Sequence, residues 1–188
     1  MRSKLSFMST AGLRRVLLVL GLMLVLAPAA CVSLHKAPPD TIQALKPHEP
    51  FDPAKAQSLA TSPLAIQSGD QLHRFTVELA NTEQQRDIGL MHRDTLAADH
   101  GMLFDFSREQ RAQFWMRNTF IPLDMLFIRS TGEIAYIAQN TTPHSDAPVG
   151  PVQPVQAVLE LPGGTAERLG LKAGDAVQHA IFGKPANP

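Results

Sequence analysis

Cysteine is almost absent from this chain. Its 188 residues include one, Cys31, together with a single tryptophan and a single tyrosine. A lone cysteine excludes an intramolecular disulfide and a thiolate metal cluster. Signatures of common catalytic machinery are missing as well. There is no Gly-x-Ser-x-Gly, no His-Glu-x-x-His and no glycine-rich phosphate loop. A basic surplus is lacking too. Of the 17 Lys and Arg, four (Arg2, Lys4, Arg14 and Arg15) fall within residues 1–31, where none of the 17 Asp and Glu occurs. The remainder therefore carries 13 basic against 17 acidic residues, a net of −4. Nucleic acid, which calls for a basic stripe or patch, is excluded as a partner on this balance.

What is present begins with an address. Behind the four basic residues runs VLLVLGLMLVL (16–26), then the small-residue stretch APAAC. The run is about 11 residues where a spanning helix takes roughly 20, so residues 1–31 read as a cleaved secretory signal rather than an anchor. Cys31 directly follows the small residues, which resembles the attachment site of bacterial lipoproteins. Cleavage before Cys31 and its acylation would tether the protein to a membrane. Pro28 stands where that motif prefers an aliphatic residue. Ordinary cleavage after Ala27-Pro28-Ala29 would instead leave Cys31 as a free thiol, which is unusual in an oxidising compartment. Either way the protein is expected to be exported, to the periplasm in the lipoprotein reading.

Residues 32–59 hold Pro38, Pro39, Pro47, Pro50 and Pro53 without helix or strand period, and read as a linker. The alternative is that part of this stretch packs as an irregular arm. A single globular domain is expected over 60–183, with 184–188 a tail. LAIQ, Ser68-Gly69-Asp70 and QLHRFTVELA predict a hairpin, the second run alternating Phe75, Val77 and Leu79 with polar residues. Asn81 or Thr82 caps a short helix over TEQQRDIGLM. GMLFDF (101–106) and RAQFWMR (111–117) predict strands joined by a polar turn, and LDMLFIR with EIAYIAQN a further hairpin across Ser130-Thr131-Gly132. Residues 141–154 form a proline-rich loop. VQAVLELP (155–162) is a strand, and TAERLG a second helix with Thr165 as N-cap and Gly170 as its stop. A closing strand follows. Many short strands with two brief helices predict a compact α+β domain, built on a twisted, mainly antiparallel, barrel-like sheet.

GLMHRDTLAADHGMLFDF (89–106), FWMRNTFIPLDMLFI (114–128) and VLELPGGTAERLGLKAGDAV (158–177) together resemble the signatures of the family known as domain of unknown function 192, in the family's order, over roughly residues 63–180. The resemblance implies a small, mostly β, barrel-like domain in proteins that are often exported or lipid-anchored. It implies no catalytic residues and no cofactor.

Candidate site residues follow from chemistry. Asp124 lies among aliphatic neighbours on LDMLFIR, and a buried carboxylate must be paired or hydrogen-bonded. Backbone N–H groups of 118–121, in a connection opened by Asn118 and Thr119, are the expected donors. That leaves Asp124 either a loop staple or one wall of a polar site. Arg93 suits bidentate pairing with Asp124 or Glu160, or capture of an anionic ligand. His92 reads as a surface residue. Trp115, flanked by Gln113 and Arg117, suits a ligand shelf or ordinary packing. Met91, Met102, Met116 and Met125, with His92, His100 and His144, raise copper, but each methionine sits in an apolar run that core filling explains, so no metal is expected. LGLKAGDAV resembles a PDZ turn and raises peptide binding by strand addition, although the PDZ carboxylate-binding loop is missing. The expected function is a non-catalytic accessory module of the cell envelope that binds a small ligand, glycan or envelope protein through Arg93, Trp115, Asn118, Thr119 and Asp124. The rival is a periplasmic hydrolase of a cell-wall or glycan polymer acting through Asp124 and Glu160.

Overall fold

The computed structural model describes residues 47–186. The signal-like segment, Cys31 and residues 32–46 of the linker lie outside the described residues. Seven strands make one mixed sheet in the order β5-β4-β6-β3-β2-β1-β7. They are β1 (Thr61–Ser68), β2 (Gln71–Ala80), β3 (His100–Gln110), β4 (Leu123–Ile128), β5 (Ile134–Thr141), β6 (Val155–Pro162) and β7 (Ala176–Gln178). Two short helices accompany them, α1 (Glu83–Ile88) and α2 (Thr165–Leu169). The α+β, barrel-like expectation holds, with one parallel pairing, β2 with β3, among antiparallel ones. The sheet curls into a half-barrel whose two edge strands meet at one end, where Glu133 bridges Ala176. There Ile134 N–H donates to the Asp175 carbonyl at 2.9 Å and Val177 N–H to that of Gly132 at 2.7 Å. At Gly132, φ is +82° and a Cβ would stand 2.7 Å from the Val177 carbonyl, so the seam needs glycine.

Local chemistry explains the elements. Gly69, at φ +54°, turns the β1–β2 hairpin. Thr82 and Gln85 form a reciprocal capping box that starts α1. Gly170, in the left-handed conformation, stops α2. The expected Thr165 cap is not used. Gly164 is the N-cap residue and supplies no side-chain cap. The expected strand at 111–117 is also absent. Only Phe114 pairs there, exchanging two 2.8 Å hydrogen bonds with Val149, because this segment leaves the sheet to cover one face of it.

Two apolar clusters separate across the sheet. One contains Leu64, Ile66, Leu126, Leu159, Leu161 and Ala166 of α2. The other contains Met102, Phe104, Met125, Phe127 and Val158, roofed by Leu90, Ala112, Met116 and Phe114. Alternation along the strands does most of the sorting, interrupted in β5 and β6, where Ile134 and Ile137 share one cluster and Val155 and Val158 the other. Residues 47–59 lie against the domain as an arm. Glu49 N–H donates to Asn118 Oδ1 at 2.9 Å, and Gln57 Nε2 donates to the carbonyls of Gln85 and Gly89 at 2.8 and 2.9 Å.

Candidate functional site

The β4–β6 register decides what the two buried acids can do. Met125 pairs with Glu160 and Asp124 with Leu161, so the side chains of Asp124 and Glu160 emerge on opposite faces of the sheet. The two-carboxylate hydrolase needs both acids on one groove, and this geometry denies it.

Asp124 is fully buried and has donors, though not the expected ones. Its Oδ1 accepts from Asn140 N–H at 2.6 Å and Gly164 N–H at 3.1 Å, and Oδ2 accepts from Ala166 N–H at 2.6 Å. None comes from 118–121. The carboxylate ties β5 and the first turn of α2 to β4, and takes the place of the missing Thr165 cap. Fully buried, held by three backbone donors and outside the cavity lining, it is a fold staple and not a ligand contact.

Glu160 differs in every respect. It is 4 % exposed, yet among the described residues no side chain or backbone group hydrogen-bonds its carboxyl. Burial pushes that carboxyl up to about 8, so it is protonated at neutral pH. It forms the floor of a cavity of about 260 Å³ between α1, β3 and the 110–115 segment. Phe104, Phe106, Phe114 and Trp115 supply rings around it, and Arg86 and Arg111 also line it. Phe104 and Phe114 meet edge to face at 5.0 Å, and Phe106 lies 6.4 Å from Phe114. Phe104 and Phe106 point the same way by strand alternation, and so share a face with Met102, the partner of Glu160. Gly89, at φ +50°, brings backbone against this wall: a Cβ there would stand 3.1 Å from the Phe104 ring.

The remaining candidates divide between this cavity and the arm. Trp115 is 57 % exposed at the cavity mouth, with the Arg117 guanidinium 5.8 Å from its ring centre. Arg117 donates to Asp146 at 2.8 Å and holds that carboxyl below the usual carboxylate range. Thr119 is buried and lines the cavity, whereas the Asn118 side chain serves the arm. Asn118, at φ +54°, also gives its carbonyl to His92 N–H at 3.0 Å. Arg93 pairs with neither Asp124 nor Glu160. It engages both oxygens of Glu78, at 2.6 and 2.9 Å, and the Gln57 carbonyl, and is thereby taken up in holding the arm. His92 is buried rather than on the surface, because the arm covers it and Asp52 N–H donates to its Nδ1 at 3.3 Å. Met102, Met116 and Met125 are buried in the core. Among the described residues no group of three His, Cys, Asp or Glu is placed to hold a metal. The PDZ-like letters build the α2 stop and a turn closed by Asp175, whose carboxylate accepts from Lys172 N–H at 2.9 Å.

Of the candidates drawn from the sequence, Trp115 and Thr119, and Glu160 from the rival hydrolase pair, line this cavity; Phe104, Phe106 and Phe114 line it too and were not among them. The available signal was the period-two spacing of Phe104 and Phe106 in GMLFDF.

Comparison with known proteins supplies relatives without an activity. No curated protein matches the chain. A crystal structure from Sinorhizobium meliloti, of a protein named as a candidate transcription regulator, is 45% identical with a TM-score of 0.65, over 66% of this chain and 98% of that one. A protein of unknown function from Novosphingobium aromaticivorans is 36% identical with a TM-score of 0.62, over 69% of this chain and 99% of that one. The model of domain of unknown function 192, described as uncharacterised ACR, matches residues 64–179, and the chain belongs to that family.

Proposed function

We propose that this chain is an exported binding module of the cell envelope, held to a membrane by a lipid on Cys31, and that its ligand enters the cavity beside Trp115. The observation that carries the binding reading is the cavity itself. Aromatic rings beside polar and charged side chains can hold and orient a small molecule, and about 260 Å³ suits a ligand of modest size. The Asp124–Glu160 carboxylate pair does not accompany it: Asp124 is spent on the fold and lies on the opposite face of the sheet from Glu160. Export is supported by residues 1–31 alone, through their basic start, short apolar run and small residues before Cys31. The Sinorhizobium protein is named as a candidate transcription regulator; direct contact with DNA by this chain would find no basic surplus beyond residue 31.

Trp115 is the only tryptophan, so its emission reads the cavity mouth without interference. Titration with a panel of small aromatic compounds should give a saturable change in that emission and a rise in melting temperature. Trp115→Ala should weaken the melting shift while the unliganded protein melts as before. A panel that moves neither signal removes the binding reading.

A further inference from the structure

We propose that the cavity takes a small aromatic amine, its ring among Phe104, Phe106, Phe114 and Trp115 and its ammonium paired with the Glu160 carboxyl at the floor. This assignment rests on the cavity being the binding site, and adds the class of ligand.

Among the described residues no group pairs with the Glu160 carboxyl, which opens only onto the cavity. Its strand neighbours on the same face, Met102 and Met125, offer only thioethers. The Thr119 hydroxyl is turned to the Arg117 carbonyl, at 3.4 Å. The charged groups lining the cavity are Arg86 and Asp87 from α1 and Arg111 from the segment after β3. Arg86 donates to the Asp105 carbonyl at 2.9 Å and lies over the Phe106 ring at 5.6 Å, and Arg111 is exposed. None pairs with Glu160. A buried acid without a cation stays protonated, which agrees with the effect of burial on this carboxyl. An incoming ammonium changes that balance. It supplies the missing charge within hydrogen-bond reach, and the negative faces of the surrounding rings favour a cation over a neutral group. A ligand carboxylate would meet the Glu160 acid at the floor, and the lining cations are Arg86, already bonded to the Asp105 carbonyl, and the exposed Arg111. On binding, Glu160 gives its proton to solvent and the ammonium keeps its own, so the ion pair forms with release of one proton.

Calorimetry at about pH 7 with phenethylamine, 2-phenylethanol and 3-phenylpropionate, each in two buffers of different ionisation heat, tests this on the full chain. The amine should bind at least about tenfold tighter than the alcohol, with close to one proton released, and the acid should bind weakest. In Glu160→Gln the preference for amine over alcohol should fall to near one and the proton release should vanish. Equal binding of amine and alcohol, or a preference for the amine that is the same in Glu160→Gln, overturns the pairing with Glu160. If none of the three binds or alters Trp115 emission, the cavity reading falls with it. Even if Glu160→Gln folds poorly, equal binding of amine and alcohol by the unaltered protein still overturns the pairing, and proton release still supports it.

Discussion

Asp124 and Glu160 look alike in the sequence, two acids within strongly apolar strands, and the fold gives them opposite fates. Asp124 is satisfied by three backbone donors drawn from residues 140, 164 and 166. Asp124→Asn removes the charge from those bonds and turns an amide N–H toward backbone donors. It should lower unfolding stability by about 2–4 kcal/mol, on the scale of hydrogen bonds to charged groups, seen as a lower urea midpoint at unchanged slope. Glu160 has no such support. Its folded carboxyl is raised from 4.5 to about 8, so the folded state holds a proton that the unfolded state has released. Its contribution is complete below about pH 4.5 and is lost as pH climbs toward 8. Urea midpoints at pH 5, 6.5 and 8 should therefore decline in the unaltered protein and decline less in Glu160→Gln. An equal decline in both would show that Glu160 ionises normally. The sequence revealed that Asp124 needed donors but not which ones, because they lie up to 42 residues away and only tertiary folding brings them together.

At the scale of elements, the parts legible in the sequence were those with local causes. The β1–β2 and β4–β5 hairpins, the α1 cap and the Gly170 stop follow from neighbours within a few positions. The 111–117 segment misled because alternating Phe114, Trp115 and Met116 satisfies strand periodicity, while a covering segment with one face on a core shows the same alternation. The arm was legible only as the alternative to a linker, since prolines argue against regular structure but not against packing. Its bonds make two predictions. Arg93→Ala leaves Glu78 without its bidentate partner and should cost about 1–3 kcal/mol, the scale for losing a charged hydrogen-bond partner, measured by chemical denaturation. Gln57→Ala removes both contacts to the end of α1, and limited proteolysis should then cut within 47–59 faster than in the unaltered protein. Unchanged cutting would mean that the arm holds by its other contacts.

For the whole molecule, the half-barrel divides labour between its two faces. The face that carries Asp124 is sealed by α2 and is concerned with stability. The other carries Glu160 and is roofed loosely enough by the 110–115 segment to leave a cavity. Sequence could not make this division, because the register that sends the two acids apart belongs to the β4–β6 pairing and not to either strand alone. The proposed membrane tether is tested at this scale. Radiolabelled palmitate should enter the expressed protein and disappear from Cys31→Ala, which should then be recovered in the soluble fraction. Labelling that persists in Cys31→Ala would place the lipid elsewhere, and no labelling of the unaltered protein would remove the tether.

The arm also bears on how this domain responds to force. A pull on the chain upstream of residue 47 first meets the His48–Asp146 contact, next the Glu49–Asn118 bond and Asp52–His92, and then Gln57, whose amide grips the Gly89 carbonyl on the cavity wall. Bonds loaded one after another peel like a zip. Tension on the N-terminal side would thus slacken the pocket's rim while the seven strands stay shut, making the arm a mechanical fuse between stretching and release.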